Sequence, residues 1–186
     1  MFFLGIKLEI EGNLDESCDL ILINHQSMLD IIVMEHLHSR NIAWVAKKEI
    51  TDLFFFGHII KAPRMISIDR ENKAGLIHLL SEAKDRFSKG CIIAMFPAGI
   101  SRVGTYIGEF KAGAKMVGNK FNLKVQPVIM FNTRNIVNSQ KMEAAPGVVK
   151  VIYLKPVVAS KDTSWYEDCE KNMKEVFEKE YKNYVS

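Results

Sequence analysis

This sequence predicts an α/β fold, a largely parallel mixed sheet flanked by helices. Three observations carry the prediction. Short apolar runs, "DLILIN", "IAWVA", "MISI" and "CIIAMF", are separated by stretches with helical patterning, and that alternation marks βαβ units. The centre of "DLILIN" is an unbroken apolar run bounded by polar residues, as strands covered on both faces are. Polar residues gather just past the ends of the runs, where parallel sheets carry their chemistry. The 186 residues, 48% of them hydrophobic and 25% charged, suit one globular domain (1–186) with a substantial core.

In chain order, "GIKLEIEG" (5–12) alternates with period two and reads as a strand. "DLILIN" (19–24) is a buried strand, and 27–39 is expected to be helical. "IAWVA" (42–46) is the next strand. "TDLFFFGHIIKAP" (51–63) is apolar, interrupted by Gly57 and stopped by Pro63. "MISI" (65–68) is a strand, and 71–90 an amphipathic helix ending at Gly90. "CIIAMF" (91–96) is a strand, 109–121 a helix, and "LKVQPVIMF" and "VVKVIYL" later strands. The closing segment places Trp165, Cys169, Met173, Val176 and Phe177 on one face of a terminal helix.

The net charge of +3 and pI near 8.7 suit anionic small molecules or an anionic membrane surface. They are too weak to argue for nucleic acid. Cys18, Cys91 and Cys169 have no metal-ligand or CxxC spacing and read as free thiols of a reducing compartment. No ligand cluster for a metal is visible. No uncharged apolar run reaches the ~18 residues of a membrane span, and no signal-peptide pattern opens the chain. Membrane contact by this chain is therefore expected to be peripheral.

The junction "INHQSMLDI" (23–31) admits two readings. Ser27-x-x-Asp30 matches a capping box before an apolar helix, leaving His25 an ordinary loop residue. Alternatively His25 is a base held by Asp30. Five residues advance a helix by roughly 500°, so the two cannot share a face of one helix. They can meet if His25 precedes the helix and Asp30 lies in its first turn. One ring nitrogen would then face the carboxylate and the other would be free to take a proton.

"NHQSMLD" resembles the NHxxxxD signature, motif I, of the glycerolipid acyltransferases, specifically the bacterial 1-acyl-glycerol-3-phosphate acyltransferases. "VAKKEI" (45–50) resembles the segment after it, and "ISIDR" (66–70) the end of motif II. "FPAGISR" (96–102) stands where motif III, FPEGTR, belongs, with "EFKAGA" (109–114) similar to its continuation. "VQPVIM" (125–130) resembles motif IV. The blocks keep their order from about residue 5 to residue 158.

The resemblance implies a glycerolipid acyltransferase-like fold. His25 would be the general base that deprotonates the acceptor hydroxyl, and Asp30 would orient it; the nucleophile belongs to the substrate. Arg70 would anchor the acceptor phosphate, with Lys47 and Lys48 near the same pocket. Pro127 of motif IV would help shape the acyl site, or mark a strand bulge or edge. No bound cofactor is implied; the co-substrate is a thioester of acyl-carrier protein or of coenzyme A. Motif III departs from the family. Phe96, Pro97 and Gly99 persist, but Ala98, Ile100 and Ser101 replace Glu, Thr and Arg, and Arg102 is displaced by one position. Either Arg102 substitutes through a shifted loop, or the acceptor differs, or activity is weakened. Arg64, upstream of motif II, is a surface residue or an extra phosphate contact.

The leading expectation is an enzyme that acylates lysophosphatidic acid to phosphatidic acid. It would work peripherally at the cytoplasmic face of the inner membrane, with the lysophospholipid, the acyl carrier and the membrane surface as its partners. Two others stay open: a relative acting on glycerol 3-phosphate or a lyso-aminolipid, and a lipid-binding protein that has lost catalysis. "LFFFGHII" (53–60) is a core helix or a greasy surface for the acyl chain or bilayer. The chain starts almost at its first strand, so the expectation is either that it lacks the family's N-terminal anchoring helices or that it is a shortened product, with "MFFLG" as the remnant of such a helix.

Overall fold

The computed structural model describes residues 5–47, 64–68, 73–99, 105–138, 141 and 143–185, without the side chains of 47, 73 and 183–185. The apolar segment 51–63 and residues Lys48, Asp69, Arg70, Ile100, Ser101 and Arg102 lie outside the described residues. In chain order the elements are β1 (Ile6–Glu11), β2 (Leu20–Ile23), α1 (Leu29–Leu37), β3 (Ile42–Lys47), β4 (Ile66–Ile68), α2 (Lys73–Ser88), β5 (Ile92–Met95) and α3 (Ala112–Phe121). There follow β6 (Lys124–Phe131), α4 (Thr133–Ile136), β7 (Val137–Asn138), β8 (Glu143–Ala144), β9 (Gly147–Tyr153), β10 (Val157–Val158) and α5 (Trp165–Val185).

The main sheet has the order β1-β9-β6-β2-β5-β3-β4, with β10 also paired to β6. β6, β2, β5, β3 and β4 run parallel. β9 is antiparallel to β6, and β1 is parallel to β9, so the sheet is mixed but mostly parallel. Leu22 stands level with Met95 on one side and Pro127 on the other. The carboxyl ends of β2, β5 and β6 therefore share one edge, and β3 and β4 end level with each other at Lys47 and Ile68.

Successive side chains of a strand point to opposite faces, and this divides the core in two. Leu20, Leu22, Ile93, Met95, Val125, Ile129 and Phe131 pack on one face with residues of α2, α3 and α5. Ile21, Ile23, Trp44, Ala94, Phe96, Val128 and Met130 pack on the other with Leu29, Val33 and Met34 of α1 and Ile136 of α4. The apolar stripe of α5 lies where its period places it: Trp165, Cys169, Met173 and Phe177 are buried, and Val176 is partly buried against the same core.

Four elements escape sequence reading because they are too short to show a period: α4, the two strands of the β7–β8 hairpin, and β10. Two helices start later than predicted. α1 begins at Leu29 because Asp30 draws the preceding amides into a turn. α3 begins at Ala112 because Lys111 stays extended, with φ −93° and ψ 150°, and gives its N–H to the Pro97 carbonyl at 2.9 Å.

Pro127 sits inside β6, between two partner strands, where a missing N–H is normally costly. A bulge accommodates it. Val128 pairs with Tyr153 while Val125 pairs with Val157, so residues 154–156 oppose only 126–127. The Pro127 carbonyl still accepts from the Leu154 N–H at 3.0 Å. Gln126 holds the bulge with its side chain, donating to the carbonyls of Leu154 and Asn13 and accepting from the Asp15 N–H.

Candidate active site

The polar junction after β2 is a compact hydrogen-bonded turn. Asn24 opens it: its side-chain amide donates to the Met130 carbonyl at 2.9 Å and accepts from the Met130 N–H at 2.7 Å. This fork ties the end of β2 to β6. Ser27 Oγ accepts from the Leu29 N–H and donates to the Thr133 carbonyl. Thr133 Oγ1 in turn donates to Gln26 Oε1 at 3.4 Å. Four consecutive side chains thus have assigned work, three of them structural, and His25 is the one presented toward the edge.

Asp30, in the first turn of α1, is fully buried. Its Oδ2 accepts from the Gln26 N–H at 2.7 Å, the Ser27 N–H at 2.9 Å and His25 Nδ1 at 2.9 Å. The capping reading and the histidine-orienting reading are therefore both present, on one oxygen. A carboxylate only accepts, so the bond puts the ring proton on Nδ1 and leaves Nε2 as an acceptor. His25 is partly exposed, at 19% of its side-chain surface.

The face of the His25 ring lies on Phe96, with centroids 3.9 Å apart and planes 16° from parallel. Phe96 directly follows β5 and opens the turn Phe96-Pro97-Ala98-Gly99, closed by the Gly99 N–H on the Phe96 carbonyl at 3.1 Å. Gly99 has φ +71°, a conformation that side chains disfavour, which explains the glycine there. Ala98 turns its methyl partly into the apolar core. The Lys111 N–H bond to Pro97 ties this turn to the start of α3, and the Tyr166 hydroxyl donates to the Lys111 carbonyl at 2.6 Å.

Beside Phe96, on the face carrying α2 and α3, is a pocket of about 120 Å³ lined by Ile68, Leu76, Met95, Pro97 and the amino end of α3 from Lys111 to Ala114. It is mostly apolar, and Phe96 is shared between it and the His25 stack. Pro127 is not in its lining.

The structure thus brings His25, Asp30, Phe96, Pro97, Ala98 and Gly99 to one edge. Lys47 closes β3 at that edge by its backbone; Lys48, Arg70 and Arg102 lie outside the described residues. Arg64 belongs elsewhere. It precedes β4, and its guanidinium donates to Asn41, which precedes β3, at the amino edge. The reading of Arg64 as a phosphate contact is therefore corrected. Sequence reasoning missed Asn24. Asn24 carried one signal, a polar residue ending a buried strand. Among the described residues no group of three His, Cys, Asp or Glu stands together as a metal site, and no helix is long and apolar enough to cross a membrane.

Comparison with known proteins places the chain among acyltransferases. The chain is 37% identical over 179 residues to the 1-acyl-sn-glycerol-3-phosphate acyltransferase of Helicobacter pylori, covering 95% of this chain and 76% of that protein. It is 28% identical over 138 residues to the lyso-ornithine lipid O-acyltransferase of Brucella abortus, of which it spans 51%. The fold matches the crystal structure of the 1-acyl-sn-glycerophosphate acyltransferase of Thermotoga maritima with a TM-score of 0.73. That match covers 98% of this chain and 74% of that one, at 21% identity. A family model described as Acyltransferase fits residues 6–131, from the first residue of β1 to the last of β6. That span takes in the His25–Asp30 pair, the Phe96 turn and the five parallel strands that align them, and the chain belongs to the acyltransferase family.

Proposed function

We propose that this chain transfers an acyl group from a thioester of acyl-carrier protein or coenzyme A to the free hydroxyl of 1-acyl-glycerol 3-phosphate, giving phosphatidic acid. The observation that carries the reading is the 2.9 Å bond from His25 Nδ1 to the buried Asp30, at the carboxyl edge of a sheet whose family is acyl-transferring. Nε2 takes the proton of the acceptor hydroxyl as its oxygen attacks the thioester carbonyl. The tetrahedral intermediate collapses, the C–S bond breaks, and His25 returns the proton to the leaving thiolate. Asp30 steadies the transient imidazolium. No enzyme side chain becomes acylated, and the scheme calls for no metal or resident cofactor.

The acceptor's phosphate monoester calls for cations. We assign Arg70 as the anchor, because a guanidinium can pair with phosphate through two parallel bonds; Lys47, Lys48 and Arg102 supplement it. The acceptor is a lipid, so the site works against a membrane surface, in this reading the cytoplasmic face of the inner membrane.

A radiolabelled acyl-transfer assay tests this with lysophosphatidic acid, glycerol 3-phosphate and lyso-ornithine lipid, each with both donor types. Lysophosphatidic acid should be the preferred acceptor. Arg70→Ala should raise its KM more than that of the donor. Restoring the family pattern with Ala98→Glu, Ile100→Thr and Ser101→Arg together should raise the acceptor-dependent rate. The three belong together, because a lone glutamate would lack its cation. A folded protein that acylates only another acceptor, and loses that activity on restoration, overturns the reading.

A further inference from the structure

A histidine held at one nitrogen by one hydrogen bond can still rock about that bond, and rocking swings the other nitrogen. His25 is held at Nδ1 by Asp30, and the contact that blocks rocking is the ring of Phe96 against its face. Phe96 is itself backed. Trp44, on β3, stacks behind it at 5.3 Å with planes 20° apart. Trp44 is buried, and its indole N–H donates to Glu35 Oε1 at 2.9 Å. Glu35 and Asp30 both belong to α1, five residues and roughly 7.5 Å apart along the axis.

The links close on themselves. From α1, Asp30 reaches His25; His25 lies on Phe96, Phe96 on Trp44, and Trp44 returns to α1 through Glu35. We infer that Trp44 and Glu35 are positioning residues for the reaction: they act through Phe96 to hold the His25 ring in the one orientation that aims Nε2 at the acceptor hydroxyl. Neither touches substrate in this scheme. Three chain segments that meet only in the fold, α1, β3 and the turn after β5, are fastened to one another by this ring of contacts. The competing account is plain core packing, since Trp44 and Phe96 also belong to the apolar core on that face. Packing alone predicts that their loss lowers thermal stability without altering the state of His25.

The inference rests on the acyl-transfer reading for its catalytic consequence but not for its structural one, and two measurements separate them. The first is ¹H–¹⁵N NMR of the His25 imidazole in the full chain. In the natural protein the signal should be that of the Nδ1–H tautomer. Trp44→Leu removes the aromatic backstop, and Trp44→Phe keeps a ring. The leucine variant should show mixed tautomers or a broadened signal, and the phenylalanine variant less of either. The second measurement is steady-state kinetics. Trp44→Leu should lower kcat roughly tenfold with little change in KM, within the ~100-fold that misplacing a group by about 1 Å can cost.

Glu35 is exposed, so its variants test the circuit even if Trp44→Leu fails to fold. Glu35→Leu should lower kcat and disturb the His25 signal, and Glu35→Gln, which can still accept from the indole, should recover much of both. A folded Trp44→Leu or Glu35→Leu protein with an unchanged His25 spectrum and kcat overturns the inference. If no variant, nor the natural protein, acylates any acceptor, the acyl-transfer reading fails, and the NMR comparison alone still decides whether the ring is held.

Discussion

His25 and Asp30 form a pair whose members do different jobs. Among the described residues, His25 has a bond to Asp30 and a stack on Phe96. Asp30 receives two backbone N–H groups besides, all on one buried oxygen. His25→Ala should therefore lower turnover by at least ~100-fold, the usual scale for losing a general base, and leave the melting temperature close to that of the natural protein. Asp30→Ala should abolish turnover and also lower the melting temperature. It strands buried amides of Gln26 and Ser27, each worth about 1–3 kcal/mol when left unpaired. Thermal denaturation beside the acyl-transfer assay distinguishes them; equal melting temperatures would mean that the turn survives without its carboxylate.

Among elements, the packing of α3 against α5 sets the turn next to His25. α3 starts where Lys111 is tied to Pro97, and α5 reaches that same residue through Tyr166. Farther along, Gly118 of α3 faces Trp165 of α5. A methyl built at Gly118 would lie 2.7 Å from the indole ring, and Trp165 is pinned by its N–H bond to Asn119 at 2.7 Å. Two effects compete in Gly118→Ala. Removing a helical glycine gains up to about 1 kcal/mol, and overpacking a fixed ring costs about 1–3 kcal/mol. The clash should win, giving a lower denaturation midpoint. A higher midpoint would show that α5 can yield without loss.

Across the whole molecule, every cysteine of the chain is buried, Cys91 and Cys169 in the core beneath α2, α3 and α5. Cys18, Cys91 and Cys169 are buried as free thiols. Burial pushes the Cys18 thiol up to about 11, with the Asp15 carboxylate adding to it, and Cys169 up to about 12. A thiol near 11 holds about a hundredfold less thiolate at pH 8 than one near 9, and thiolate is the reactive form. A disulfide reagent at pH 8 should therefore label the native protein slowly and the denatured protein rapidly at three sites. Fast labelling of the native protein would reveal local opening of α5 or of the loop before β2.

The sequence by itself determined the order of strands and helices, because each long element carries its own period or an unbroken apolar run. "DLILIN" and "CIIAMF" announce buried strands, and the stripe from Trp165 to Phe177 announces its helix. It also allowed a local meeting that the structure then made: His25 and Asp30 are five apart, close enough for turn geometry to join them, but the spacing fits a plain capping box as well. The NHQS cluster and the FPAG turn were legible as family blocks for the same reason, being contiguous. Only the tertiary structure decided what non-local pairing controls. Strand order is not written in any one strand, and it alone sets β5 beside β2 so that Phe96 meets His25. Asn24 reaches Met130 across 106 positions, and no local pattern encodes such a partner. Pro127 shows the same limit. A proline in an apolar run argues against a central strand until the bulge at 154–156, supplied by a segment nearly thirty residues later, leaves its missing N–H without a partner to disappoint.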